Sequence, residues 1–389
     1  MKRLVCALIV FCLLFGAAEA LVYENGEGLP VILGVGGSFA YARDNTGTIY
    51  VWGDNQFGQL GLGSESQSAK VRTFTNKNES LDMTKLADIV ATTDYSYLWL
   101  SDGTLWGVGS NAYSPLCSKS YTLKRHAQLS LDFVPVSLAL GFGHTLALTA
   151  EGKVYAWGRN TNYQVGNGNR KNLDTPYLLP LENIVQIACG GKFSLALDAN
   201  GVLWGWGDNE YRYLDATTSD PVTQPMMINT GDIQIDTIDA CGDSIVLLDT
   251  DGALWTWGRN DHAQLGYDTG KDTTTTPQKV DLPLPVTQVA AYSSQTYAIL
   301  SDGSLWSWGN NSYGQLGQGF RSSVDEGVLP GQAYDRDVVL VQGGSLFVVA
   351  MTSDGTVLTA GISKFGQIGD GTDKSQYTLT PNGMDLILP

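Results

Sequence analysis

Short apolar runs alternate with glycine-centred polar stretches along almost the whole chain. Runs such as 145–148 (TLAL) and 244–248 (SIVLL) are followed within a few residues by a polar residue and a glycine. The pairs Asp102-Gly103, Asp251-Gly252, Asp302-Gly303 and Asp354-Gly355 supply the positive φ that a tight hairpin turn needs. Past each turn the side chains alternate with period two, the period of a strand. Positions three and five after the turn glycine are aromatic in Tyr50/Trp52, Tyr155/Trp157, Trp204/Trp206, Trp255/Trp257 and Trp306/Trp308. Position two is aliphatic in every copy: Ile49, Leu105, Val154, Leu203, Leu254, Leu305 and Val357. Both faces of this strand are therefore apolar, which predicts a sheet covered on both sides.

The pattern recurs seven times. The turn glycines are Gly47, Gly103, Gly152, Gly201, Gly252, Gly303 and Gly355, spaced 49 to 56 residues apart. Six residues after each comes a second glycine: Gly53, Gly109, Gly158, Gly207, Gly258, Gly309 and Gly361. Two further on lies Asn55, Asn111, Asn160, Asn209, Asn260 or Asn311, with Ser363 in the last copy. Such an Asn is expected to cap backbone groups of its own loop. Several copies then end in GQLG or a relative, as at 58–61, 263–266, 314–317 and 366–369. Seven small sheets with two apolar faces each require radial stacking, and the predicted fold is an all-β, seven-bladed β-propeller. Copies two and seven lack the Trp before the second glycine, and copies two and four lack GQLG, so these blades are the ones expected to be distorted. The segment 377–388 resembles the lead-in of other copies. It is expected to pair with the N-terminal blade and close the ring, which removes open sheet edges.

The repeat lacks the Trp-Asp of WD40 blades and the kelch pattern. It resembles the RCC1 (regulator of chromosome condensation) repeat, over roughly residues 30 to 389. The third copy carries the motif from Gly143-His144-Thr145 through Gly152 to Trp157-Gly158-Arg159-Asn160, and the sixth ends WGNNSYGQLG at 308–317. The resemblance is specific for fold and weak for function. Some relatives of this kind exchange guanine nucleotides on a small GTPase. Others, secreted by bacteria, cap a β-lactamase with an aromatic propeller face. A plant UV-B receptor in the family uses a Gly-Trp-Arg-His-Thr motif that is missing here; the nearest match is 141–145.

The N-terminus changes which of these fits. Lys2 and Arg3 precede an apolar run to Phe15, and Ala18 and Ala20 occupy the −3 and −1 positions of a cleavage site. Residues 1–20 read as a secretory signal peptide, and 21–389 as the propeller domain. The apolar run is too short to span a bilayer. A secreted or periplasmic location argues against the exchange-factor reading. Formal net charge is −16, and −17 without Lys2, Arg3 and Glu19. Such a surface disfavours phosphate backbones and anionic lipid.

Little in the sequence points to catalysis. The three histidines, His126, His144 and His262, have no carboxylate or Cys at ligand spacing, and no hydrolase or phosphate-binding motif occurs. No catalytic residue, metal or cofactor is assigned. Cys117, Cys189 and Cys241 remain after the leader; a Cys189–Cys241 disulfide is conceivable, and two small buried residues near the central channel are the preferred reading. The insertion at 64–85 carries Lys70, Arg72, Lys77 and Lys85, and is read as a solvated excursion. Trp99, outside the post-turn strands, reads as core.

Two sets of variable residues sit in the loop leaving each post-turn strand. Ten past the turn glycine are Phe57, Tyr113, Asn162, Tyr211, His262, Tyr313 and Phe365. Directly after the second glycine are Asp54, Ser110, Arg159, Asp208, Arg259, Asn310 and Ile362. Each set should form a ring on one end of the propeller, and an aromatic ring with mixed charges suits a protein-binding face. The expectation is a monomeric, secreted, non-enzymatic propeller with a protein partner. The alternatives are an inhibitor of an extracellular enzyme, an exchange factor, and an extracellular carbohydrate binder or hydrolase.

Overall fold

The computed structural model describes residues 21–23, 28–76, 78–268 and 270–387, so the expected leader at 1–20 lies outside the described residues. Seven antiparallel sheets follow one another along the chain, six with four strands and the first with five. The third blade is typical: Pro135–Leu140 innermost, then His144–Thr149, Val154–Gly158, and Leu173–Leu178 outermost. Its inner three strands are nearly all buried, while the outermost has no buried residue. Among the described residues the only helical element is the short turn Met83–Lys85, so no helix is long and apolar enough to cross a membrane.

The hydrophobic core is divided into seven clusters, one at each interface between neighbouring blades. This follows from the two apolar faces of the post-turn strand. The tryptophan at position five is fully buried in all five copies that have one. Its indole N–H crosses to the preceding blade and donates to a backbone carbonyl: Trp157 to Pro115 at 2.7 Å, Trp206 to Gln164 at 2.9 Å, Trp257 to Tyr213 at 2.8 Å and Trp308 to Gln264 at 3.0 Å. The position-three aromatics Tyr50, Tyr155, Trp204, Trp255 and Trp306 are only half-buried, towards the Asp-Gly turns.

The C-terminal strand closes the ring in a form other than strand addition to the first blade. Gln376–Asp385 pairs with Thr356–Gly361 of the seventh blade as its outermost strand. The join is made by the same bond as elsewhere, Trp52 to the Gln367 carbonyl at 2.9 Å, with Val71 N–H to Gly369 and Asn45 N–H to Leu386 beside it. The blades with degenerate motifs keep their strands. Where GQLG lacks its first glycine, Ser114, Tyr163, Arg212 and Ala263 adopt the same left-handed backbone, with φ of 56 to 66°. The insertion at 64–85 is not an excursion: Ser68–Thr73 is the outermost strand of the first blade, with Lys70 and Arg72 exposed on it, while Lys77 lies outside the described residues. Trp99 is half-buried rather than core, packed against the cluster between the second and third blades.

Candidate functional site

The second glycine of every copy ends the post-turn strand with φ between 95 and 115°. A side chain there would strike the loop between the two innermost strands; at Gly53 an added Cβ lies 2.5 Å from the Ser38 carbonyl. The close approach lets the next residue donate its N–H to that loop, as in Asp54 to Ser38 at 2.8 Å, Arg159 to Gly143 at 2.7 Å and Arg259 to Asp243 at 3.2 Å. Both variable rings are thereby pinned to one end of the propeller, around the mouth of the central channel.

The Asn two residues past the glycine then shapes the rest of the loop. Asn160 donates to the Asn167 side chain and to the Asn169 and Lys171 carbonyls, and accepts from Val165 N–H at 3.0 Å. Asn55, Asn111, Asn209, Asn260 and Asn311 make equivalent bonds. These residues are scaffold, as expected, and they hold the ring aromatics in place.

On that scaffold, cations lie over aromatic rings across blade boundaries. Arg159 of the third blade sits 4.7 Å over Tyr113 of the second, and Arg259 of the fifth sits 5.3 Å over Tyr211 of the fourth. Each such stack contributes on the order of 1 kcal/mol at a partly exposed site. Lys364 covers Phe365 at 5.4 Å. Phe57, Tyr113 and Tyr313 are exposed; Tyr211, His262, Asn162 and Phe365 are half-buried. A hollow of about 250 Å³ lies between the second and third blades, walled by Asp94, Tyr113, Phe142 and Arg159. Burial pushes the Asp94 carboxyl up, against a hydrogen bond from Ser110.

One side of the ring is ionic. Arg259 pairs with Asp261 through two bonds of 2.9 and 2.6 Å and with Asp243 at 3.2 Å. His262 Nδ1 lies 3.0 Å from the same Asp261 carboxylate. Burial would raise Asp261, but bonds from His262, Arg259 and Gln264 outweigh it and hold the carboxyl well below its usual range. The bond to Asp261 raises His262 above its ordinary value of 6.5, with burial opposing. A raised histidine stabilises the fold below its unfolded value, and the contribution fades as pH rises through the folded value. An NMR titration of His262 is therefore expected to show a midpoint above about 6.5. A midpoint at or below that value would remove the Asp261 pair as a determinant of this loop.

The seven-fold repeat and the propeller fold agree with comparisons to known proteins. A model of the RCC1-like domain matches residues 118–387, and models of the regulator of chromosome condensation (RCC1) repeat match 46–88 and 31–59. The chain belongs to the RCC1-like family. It is similar to the E3 ubiquitin-protein ligase HERC2 of Mus musculus, 32 % identical over 341 residues, which is 84 % of this chain and 7 % of that protein. The chain thus spans a small fraction of that ligase. It is 28 % identical over 361 residues to the ultraviolet-B receptor UVR8 of Arabidopsis thaliana, covering 88 % of this chain and 79 % of the receptor. Among solved structures it resembles human WBSCR16 (TM-score 0.74, 19 % identity, 87 % of this chain and 94 % of that one). It also resembles Prp20p of Saccharomyces cerevisiae (TM-score 0.73, 23 % identity, 87 % and 84 %), whose binding to Gsp1p and histones is described with its structure.

Within this RCC1-like propeller the expected site residues divide. Asp54, Phe57, Tyr113, Arg159, Tyr211, Arg259, His262, Tyr313 and Phe365 share one end and are at least partly accessible. Asp208 does not belong with them: it is 7 % exposed, taking a bond from Asn162 at 3.2 Å. Ser110 is also buried. Sequence reasoning missed Phe142, which projects from the inner loop beside the channel mouth at 36 % exposure, and the acidic partners Asp243 and Asp261. The isolated Phe between Gly141 and Gly143 was the available signal.

The other histidines are structural. His126 and His144 are buried, and burial lowers both to about 3, so they are neutral at physiological pH. His144 Nε2 meets the Ser194 hydroxyl at 3.1 Å, with both residues fully enclosed. Among the described residues no three His, Cys, Asp or Glu side chains cluster as metal ligands. Cys189 is a free thiol, 5 % exposed on the channel wall, in line with the preferred reading. It is not equivalent to Cys241. Cys189 pairs with Ser194 and Ala240 with Ile245, so Ala240 is its counterpart in the fifth blade. The side chain of Cys241 lies outside the described residues.

Proposed function

We propose that this propeller is secreted and binds a protein partner through the end that carries the cation–aromatic stacks. The supporting observation is the pairing of Tyr113 with Arg159 and of Tyr211 with Arg259 across blade boundaries, beside exposed Phe57, Phe142 and Tyr313. Tyr and Arg anchors on a rigid base are the residue types that dominate binding energy, and here little ordering is left to the moment of contact. The leader-like segment at 1–20 supports an extracellular or periplasmic partner.

The test is a binding assay of the mature chain against secreted and envelope proteins of its host, at low and high salt. A specific partner should persist at high salt. The double variant Tyr113→Ala/Arg159→Ala should weaken it by roughly tenfold or more, as expected of an anchor pair. No partner, or one indifferent to changes at Tyr113, Arg159, Tyr211 and Tyr313, would overturn this reading.

A further inference from the structure

Among the described residues the first blade alone has a fifth strand, and that strand stands inside the central channel. Leu21–Tyr23 pairs antiparallel with Val31–Val35, the innermost strand, in the register Leu21–Leu33, Val22–Ile32 and Tyr23–Val31. Tyr23 is 3 % exposed and packs with Val31, Leu33 and Leu340, joining the first and seventh blades. The channel is therefore plugged at one end. What remains is a well of about 100 Å³ at the other end, lined by the last residues of the inner strands and the loops after them, from Val35 to Gly343.

Strand direction places the N-terminal end of the plug. The strand Val31–Val35 runs towards the well, because Val35 lines it. Its antiparallel partner runs away from it, so Leu21 is the residue of the plug nearest the well.

One carboxylate stands on that wall. In the other six blades, the inner-strand position level with Gly34 is Val90, Ala139, Ala188, Asp239, Ala290 and Gln342. Asp239 is 2 % exposed and lines the well. It accepts from Ala240 N–H and, at 3.1 Å, from Ala291 N–H of the next blade. Gln342 makes the equivalent cross-blade bond, to Val35 N–H at 2.7 Å, without a charge. No Lys, Arg or His is among the described residues lining the well; its other titratable groups are Cys189 and Tyr292. Without a cation, burial pushes Asp239 up to about 8. A buried charge of this kind is costly unless paired.

We propose that the amino terminus created by cleavage between Ala20 and Leu21 lies in the central well and is the counter-charge of Asp239. This rests on the leader reading of residues 1–20. Hydrolysis adds water across the peptide bond, leaving a carboxylate on Ala20 and an amine on Leu21 that takes up a proton. An α-amino group titrates near 8, so it is cationic over most of the range in which the carboxyl would ionise. Processing then does more than release the chain from export: it completes the charge balance of the channel and anchors the plug.

The experiment compares four proteins. Two are the mature chain, one unaltered and one carrying Asp239→Asn. The other two are the same pair with two extra residues ahead of Leu21, which displace the ammonium by about 7 Å. With Asp239 present, the extension should lower Tm by about 5 °C, as expected for breaking a buried ion pair. In the Asp239→Asn background the drop should be under about 1 °C, because the coupling is gone. N-terminal sequencing of the exported protein separates the two ways of failing. A chain that keeps residues 1–20 overturns the leader reading and this proposal together, and cleavage at another nearby bond overturns this proposal alone. A start at Leu21 with equal Tm drops in both backgrounds overturns the ion pair alone.

Discussion

Replacing Trp206 with Ala is expected to cost about 4 kcal/mol of stability, the largest effect of any single change at a blade interface. The indole is fully buried in the cluster between the third and fourth blades. Gly166 is packed against it so closely that an added Cβ would lie 2.7 Å from the ring. Truncation leaves a void that this rigid surround cannot close. The hydrogen bond contributes less, because the Gln164 carbonyl also accepts from the Ser194 hydroxyl at 2.8 Å and keeps a partner. Trp206→Phe, which removes the N–H and part of the ring, should therefore cost only about 1–2 kcal/mol. Urea unfolding decides the matter through the midpoint, provided the slope is unchanged. A loss below about 1.5 kcal/mol for the Ala variant would mean that the indole does not hold this interface.

Asn160→Ala is the second large effect, at about 2–3 kcal/mol, and it comes from polar groups left unpaired. The side chain is fully buried and ties Val165 N–H to two backbone carbonyls and the Asn167 amide. Asn160→Asp keeps the acceptor for Val165 but turns a carboxylate towards carbonyl oxygens, so it should be no better than Ala. The loss should begin locally, with faster amide exchange at Val165 before the blade as a whole unfolds. Exchange at Val165 unchanged in the Ala variant would show that the loop is held from elsewhere. The same substitution bears on the candidate face, since Arg159 and Asn162 flank the knot.

The propeller and its blade count were legible because the repeat is carried by local chemistry. A turn glycine, an alternating strand and a second glycine need only their own neighbours to be read. The Asn caps were legible for the same reason. What escaped depends on curvature between blades. Gln376–Asp385 resembles a lead-in strand whether it pairs backwards or forwards, and only the ring geometry settles that it completes the seventh blade. Asp208 follows a second glycine just as Asp54 does, yet Asn162 of the preceding blade covers it. The missing tryptophans of the second and seventh blades were visible, but their compensation was not. Tyr41 and Tyr297, from the blades before them, donate to the Gln59 and Gln315 carbonyls at 2.9 Å in place of an indole.

That substitution has a consequence for how the molecule can come apart. A linear array of repeats frays from its ends. Here the Trp52 bond joins residues 315 positions apart, so the chain termini are not mechanical ends. The two boundaries without an indole, between the first and second blades and between the sixth and seventh, fall on either side of that join. Each satisfies its carbonyl chiefly from within one blade, and is held instead by apolar packing and by backbone bonds such as Gly37 N–H to Thr92 and Gly63 N–H to Lys124 at the first, and Gly319 N–H to Tyr377 at the second. Counted by the indole bonds alone, the circle divides into a run of five blades and a run of two. The shorter run carries the channel plug Leu21–Tyr23 and the closing strand Gln376–Asp385, so the one boundary that local sequence cannot build is tied by the same indole bond as the five-blade run.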